Sequence, residues 1–192
     1  MNIFVLSRDI DECVQMHCDK HVVKMITEYA QLLSTAKRTF DGTPTQIKVG
    51  SKTKVVNVLP GEELAVENGD LVIHNKRAFL QTHDNHPCAL WTKLCDKNYE
   101  YLVALNLKLI EEYEYRYQKH HGTADTMQYL VDAPRGIRHH GHVTQFAQAM
   151  PDQYITPGDP VTGYRKFYNG EKHFATWRHR EVPFWYLCGE KA

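Results

Sequence analysis

The sequence predicts an α+β fold, mainly α: a helical domain with a short N-terminal strand and a small antiparallel β-meander set into it. Three observations carry that expectation. Two long stretches, 19–37 and 97–119, hold apolar residues at helical spacing and contain neither Gly nor Pro. Between them, residues 41–74 change to short alternating runs punctuated by Gly50-Ser51 and Asn68-Gly69. Apolar residues make up 42% of the 192, enough for a core and too many for a disordered chain. The length fits a single domain over 1–192, with 41–74 as a β-hairpin or meander insertion.

Taken in order, residues 2–6 (Asn-Ile-Phe-Val-Leu) read as a short buried strand. Asp9 and Glu12 have the spacing of a capping box opening a short helix. Val22, Ile26, Tyr29 and Leu33 then form one apolar stripe at i, i+4, i+7 and i+11, and Asp41-Gly42-Thr43-Pro44 ends that helix. Runs at 46–49 and 53–56 flank Gly50-Ser51, and runs at 64–66 and 71–73 flank Asn68-Gly69, a strong hairpin signal. Asn85-His86-Pro87 starts a helix carrying Leu90, Trp91 and Leu94, with proline tolerated in the first turn. The longest helix turns Tyr101, Leu102, Leu105, Leu109 and Tyr113 inward, and Gly122 is expected to end it. A shorter helix is expected over 124–131, a loop over 134–142, one or two turns over 144–150, and a helix from Asp159-Pro160 to Trp177 with Gly163 and Gly170 as weak points. Pro183-Phe184-Trp185-Tyr186 is an aromatic tail.

Composition narrows the function. With 23 basic and 23 acidic residues the formal charge is zero, so no global field draws the chain to nucleic acid or membrane and any basic surface is local. Cys13, Cys18, Cys88, Cys95 and Cys188 form no C-x-x-C pair, so free thiols in a reducing cytoplasm are expected rather than a zinc ribbon or redox motif. Charged residues follow residues 1–6 at once, so no signal peptide is expected. No apolar run approaches the ~20 residues of a membrane span, so no membrane partner is expected. Twelve histidines leave room for a site that titrates near neutrality.

Four clusters carry chemistry. His17, His21, Lys24 and Glu28 share one helix face at i, i+4, i+7 and i+11, with Lys20 beside them. An amine next to a carboxylate does nucleophilic and acid–base work; the same spacing also suits a solvated polar face, and two histidines at i, i+4 can hold a metal. No third ligand follows at diagnostic spacing, so no metal or other cofactor is expected. The second cluster, His83 to Cys88, is either a helix cap or a pocket wall facing the first helix. The zinc deaminases need H-x-E and P-C-x-x-C, and neither is present. The third, 135–142, sets Arg135, Arg138 and His140 among glycines, a flexible cationic loop suited to phosphate. The fourth interleaves bases and rings from Tyr164 to Tyr186, where Phe167, Phe174 and Trp177 read as packing and Arg178, His179 and Arg180 as anion contacts.

The stretches at 2–6, 17–25, 85–87 and 159–177 resemble a widespread family of small bacteriophage proteins, and the likeness covers most of the chain outside 41–74. A more distant resemblance is to the pyrimidine-dimer DNA glycosylase/lyase family. That family has an N-terminal strand, a helix with Asp-x-His and a Glu seven residues after the His, an Asn-His-Pro element in some bacterial members, and a long helix ending in Glu and Tyr/Arg. Here Asp19-Lys20-His21 with Glu28, Asn85-His86-Pro87, and 112–117 match it. The resemblance implies a DNA or nucleotide partner, an amine nucleophile and a catalytic carboxylate. The family's nucleophile is the amine exposed after Met removal. Asn2 is too bulky for the usual excision, which leaves the Met1 amine, Lys20 or Lys24 for that part. Thr27 and Gln31 stand where the family has arginines.

The expectation is therefore a phage-type enzyme on nucleic-acid bases or nucleotides, most like a DNA N-glycosylase with abasic-site lyase activity. The Met1 amine or Lys24 attacks C1′, Glu28 shuttles protons and stabilises the developing positive charge, His21 and His86 orient the base or leaving group, and Lys20, Arg135, Arg138, His140, Arg178 and Arg180 hold phosphates. Two alternatives stay open: a His/Asp metal-dependent phosphoesterase, and a non-enzymatic phage protein that binds a nucleotide or host factor.

Overall fold

The structure is a computed structural model in which residues 1–187 are described; Cys188 lies outside them. It is α+β and mainly α. The helices are α1 (Ile10–Met16), α2 (Asp19–Asp41), α3 (Pro87–Leu94), α4 (Asp96–Tyr117), α5 (Ala124–Met127) and α6 (Pro160–Glu171). Four strands, β1 (Thr43–Val49), β2 (Lys52–Val58), β3 (Glu63–Glu67) and β4 (Asp70–His74), lie between α2 and α3.

The apolar stripe of α2 packs against α4, and α1 and α3 close the same core. The two long helices run in opposite directions. Arg116 in the last turn of α4 reaches Asp19 at the start of α2 (3.0 Å), while the backbone N–H of Arg135, in the loop beside the start of α4, meets Asp41 at the end of α2 (2.9 Å). α1 begins as its sequence requires: Asp9 accepts the Glu12 N–H at 2.8 Å. The reciprocal half of the capping box is relayed, since the Ser7 hydroxyl meets the Glu12 carboxylate and also accepts the Asp9 N–H at 3.2 Å.

Residues 2–6 are not a strand. Ile3 to Leu6 are buried, but among the described residues no strand pairs with them, and side chains satisfy their backbone instead. The Phe4 N–H donates to the Tyr29 hydroxyl (3.1 Å), the Leu6 N–H meets Cys13 Sγ (3.3 Å), and Arg165 Nε donates to the Leu6 carbonyl (2.8 Å). The β region is two separate two-stranded hairpins rather than one continuous meander. Glu67 pairs with Asp70 across Asn68-Gly69, whose φ angles of 52° and 85° are those of a two-residue type I′ loop.

Buried ionic clamps fix both ends of α2. Arg38 and Glu62 are fully buried side chains joined by two hydrogen bonds of 2.8 Å, and Arg38 also donates to the carbonyls of Asn57, Ala78 and Phe79. At the other end Arg116 binds Glu112 (2.6 Å) and the carbonyls of Gln15 and His17.

Several boundaries differ from expectation. α4 stops at Gln118, which takes a left-handed φ of 52°, before Gly122 is reached. α5 is one turn, and 144–150 carry no helix; a 3₁₀ turn follows at Asp152–Tyr154. α6 ends at Glu171 rather than Trp177 because tertiary bonds claim the next turn. The Trp177 indole donates to the Met16 carbonyl (2.9 Å), and the Thr176 carbonyl accepts the Asp19 N–H (2.8 Å). Gly163 and Gly170 are sites of close approach: a side chain at either would collide with Gln148 or Tyr154.

Candidate active site

The buried start of the chain delivers the Met1 amine to α2. The amine lies 3.6 Å from Glu28 Oε2, and Lys24 Nζ lies 2.9 Å from Glu28 Oε1, so one carboxylate holds a cation on each oxygen. The Met1 and Glu28 side chains are only 6% and 14% exposed, whereas that of Lys24 is 67% exposed. The Met1 side chain and the Glu28 carboxylate are sheltered, Met1 as a whole is half-buried, and the lysine reaches into water.

The placement of the amine traces to Tyr29, the residue after Glu28. Its hydroxyl accepts the Phe4 N–H and contacts His17 Nε2 at 3.1 Å, while His17 Nδ1 lies 2.8 Å from the Cys13 carbonyl. A carbonyl only accepts, so Nδ1 carries the proton and Nε2 accepts from Tyr29. Burial lowers His17 to about 4, which keeps it neutral and fixes that tautomer. Phe4 is thereby tied at a set point along α2, three residues from the amine.

His86 borders the other side. It caps α3, its Nδ1 accepting the Cys88 N–H at 3.2 Å, so the neutral ring carries its proton on Nε2. Burial holds its imidazole below the ordinary histidine range, helped by the Met1 ammonium and His83, while Glu28 acts in the opposite sense. The amine, Glu28 and His86 are therefore in mutual electrostatic reach. Burial pushes the Cys88 thiol up to about 11, so it is no thiolate at neutral pH.

On the opposite flank, Thr27 and Thr123 hydroxyls meet at 3.0 Å, and His121 Nε2 lies 3.3 Å from the Val23 carbonyl. Toward the start of α2, Lys20 Nζ sits 4.3 Å from the centre of the Phe174 ring.

The structure thus brings together Met1, Lys24, Glu28 and His86. It does not bring His21 there. Its ring is buried, stacked on Phe4 at 4.4 Å and bonded through Nδ1 to the Tyr168 hydroxyl, and burial lowers it to about 3. His17 and His21, spaced as a metal pair, are both occupied by core contacts, and among the described residues no three His, Cys, Asp or Glu side chains converge. The basic residues divide between the two ends of α2. Arg178 donates its backbone N–H to Asp19, and Arg180 pairs with Glu112 at 2.8 Å. Asp19 is nine residues from Glu28, about 14 Å along the helix. Arg135, Arg138 and His140 lie toward the other end: the Arg138 carbonyl and the His140 N–H are both bound to Asp96 at the start of α4. Asp41, which holds Arg135, is thirteen residues from Glu28, about 20 Å. Sequence reasoning missed Tyr29 and His17 as positioning groups, because spacing marks the tyrosine only as part of an apolar stripe.

The chain matches no family model, no curated protein and no solved structure. Among the described residues no helix is long and apolar enough to cross a membrane.

Proposed function

We propose that this protein is a DNA N-glycosylase with abasic-site lyase activity, using the Met1 amine as nucleophile and Glu28 as the carboxylate. One observation carries the reading: the α-amine of Met1, whose side chain is seated against the core, is held 3.6 Å from the Glu28 carboxylate, with Lys24 on the second oxygen. The amine must lose a proton before it attacks, and the Glu28 carboxylate beside it is the base placed to take that proton. The neutral amine attacks C1′ of an extruded nucleotide, the new N–C1′ bond forming as the glycosidic bond breaks. Glu28 takes the proton released from the amine nitrogen and stabilises the cation that develops at C1′ and the ring oxygen. His86 presents an Nε2–H to the departing base. Glu28 returns that proton to the ring oxygen as the sugar opens to a protonated imine, and the regenerated carboxylate removes a C2′ proton, which expels the 3′ phosphate.

Borohydride reduction on DNA with an abasic site tests this. A covalent adduct is expected, with mass spectrometry placing it on Met1. Glu28→Gln should slow trapping at least 100-fold with DNA binding retained, the ordinary scale for a lost acid–base group. Lys24→Ala should change it only a few-fold, since that amine faces water. Binding without any adduct, or an adduct on a lysine, overturns the reading.

A further inference from the structure

A second site lies beyond the amine, where the end of α2, the segments flanking the hairpins and the stretch after α5 enclose a cavity of about 630 Å³. Small-ligand pockets commonly span roughly 300–1,000 Å³. Its lining is mixed. The Arg77 guanidinium sits 5.7 Å from the centre of the Tyr129 ring, and that tyrosine is 42% exposed. Phe40 supplies a second, half-buried ring.

The charges divide into a frame and a working pair. Lys37 is neutralised within the wall, bonded to Asp41 at 3.1 Å and to the Asp132 carbonyl at 3.1 Å. The free oxygen of Asp41 accepts the Arg135 backbone N–H, which fixes that loop. Arg77 is fixed likewise, its backbone N–H bound at 2.8 Å to Glu62, itself clamped by the buried Arg38. The guanidinium groups of Arg77 and Arg135 make no ion pair with a carboxylate among the described residues, and Asp132 is the one acid of the lining not paired with Lys37. The backbones are held and neither cationic head is taken by a carboxylate, with that of Arg77 resting against the Tyr129 ring.

The geometry points to a nucleotide-binding pocket: a planar base stacked on Tyr129 with its phosphate held by Arg77 and Arg135. Rings that stack bases and guanidinium groups that take phosphate oxygens in pairs are the two halves of that recognition. A purely apolar ligand leaves two guanidinium groups stripped of water, and a bare anion makes no use of the rings. Phe40 is twelve residues from Glu28, about 18 Å along α2, so the pocket is separate from the amine. The nucleotide is either free or one unit of a strand, and the proposal does not require the lyase reading to hold.

The experiment compares wild type with Tyr129→Ala and Arg135→Ala, both altering exposed side chains, after thermal unfolding shows them folded. Two probes are used: a fluorescent 12-residue single-stranded DNA read by anisotropy, and dAMP read by calorimetry. Each substitution is expected to weaken a bound probe about tenfold, the scale of one lost stacking or phosphate contact. Loss confined to the oligonucleotide assigns the pocket to a strand, and loss with dAMP assigns it to a free nucleotide. Binding of neither probe, or equal binding by wild type and both variants, overturns the pocket, as does inorganic phosphate competing as well as dAMP. Borohydride trapping at saturating abasic DNA should be the same in all three proteins. A wild type that traps nothing yet loses probe affinity on substitution therefore defeats the lyase reading and leaves the pocket standing.

Discussion

A single hydroxyl connects the core to the amine. Tyr29 serves the Phe4 N–H as acceptor and His17 as donor, both buried. Tyr29→Phe leaves two buried polar groups without that partner and should cost about 1–3 kcal/mol, read by urea or thermal unfolding. Trapping at saturating DNA should fall further than stability alone explains, because the register of residues 1–4 against Glu28 is released. A variant destabilised this much but trapping at the wild-type rate would remove Tyr29 from the positioning of Met1. The sequence made Glu28, Lys24 and His86 visible through helix spacing and a cap signature. It hid the part of Tyr29, because periodicity registers a ring and not what its hydroxyl bonds, and it grouped His17 and His21 with the polar face of one helix, although His17 ends α1 against Tyr29 and His21 is covered by Phe4 and Tyr168.

At the level of elements, the hairpins hang from a clamp rather than from a sheet. Glu62 is held below the usual carboxylate range; burial opposes this, and Arg38 with the Arg77 and Leu59 N–H groups outweighs it. Glu62→Gln leaves the Arg38 charge buried without its counter-charge and should destabilise by about 3–5 kcal/mol. Arg38→Met with Glu62→Leu removes both charges but strips the carbonyls of Asn57, Ala78 and Phe79 and the N–H groups of Leu59 and Arg77 of that partner, so it should recover only the part of the loss due to the unpaired charge, measured by chemical unfolding. Hydrogen exchange should show β1 to β4 loosened first in the single variant. The hairpins themselves were legible, Asn68-Gly69 above all. Their anchoring was not, since Arg38 and Glu62 stand 24 positions apart with no local pattern joining them. The end of α6 was equally hidden, because bonds to α1 and α2 decide where it stops.

For the whole molecule, the histidines set acid stability. His17 at about 4 and His21 at about 3 are neutral in the folded protein, while an unfolded histidine takes its proton near 6.5. Between those values the unfolded chain binds more protons, so stability falls as pH falls. By pH 5 each histidine costs about 2 kcal/mol, a combined loss of about 4 kcal/mol relative to pH 7.5. Urea titrations at the two pH values check this; a flat profile would contradict the burial of both rings. The α+β, mainly helical class was readable because two long stripes dominate the chain. The division of the basic residues between the two ends of α2 was not, because it depends on α2 and α4 running in opposite directions.

The seat of Met1 has a practical consequence. With its side chain almost covered and its nitrogen against Glu28, a purification handle fused ahead of it would drive a neutral peptide bond into the place of an ammonium group. N-terminal acetylation would do the same. On the proposed lyase reading, protein carrying its handle at the other end should trap abasic DNA, and a sample made the opposite way should fold and trap nothing.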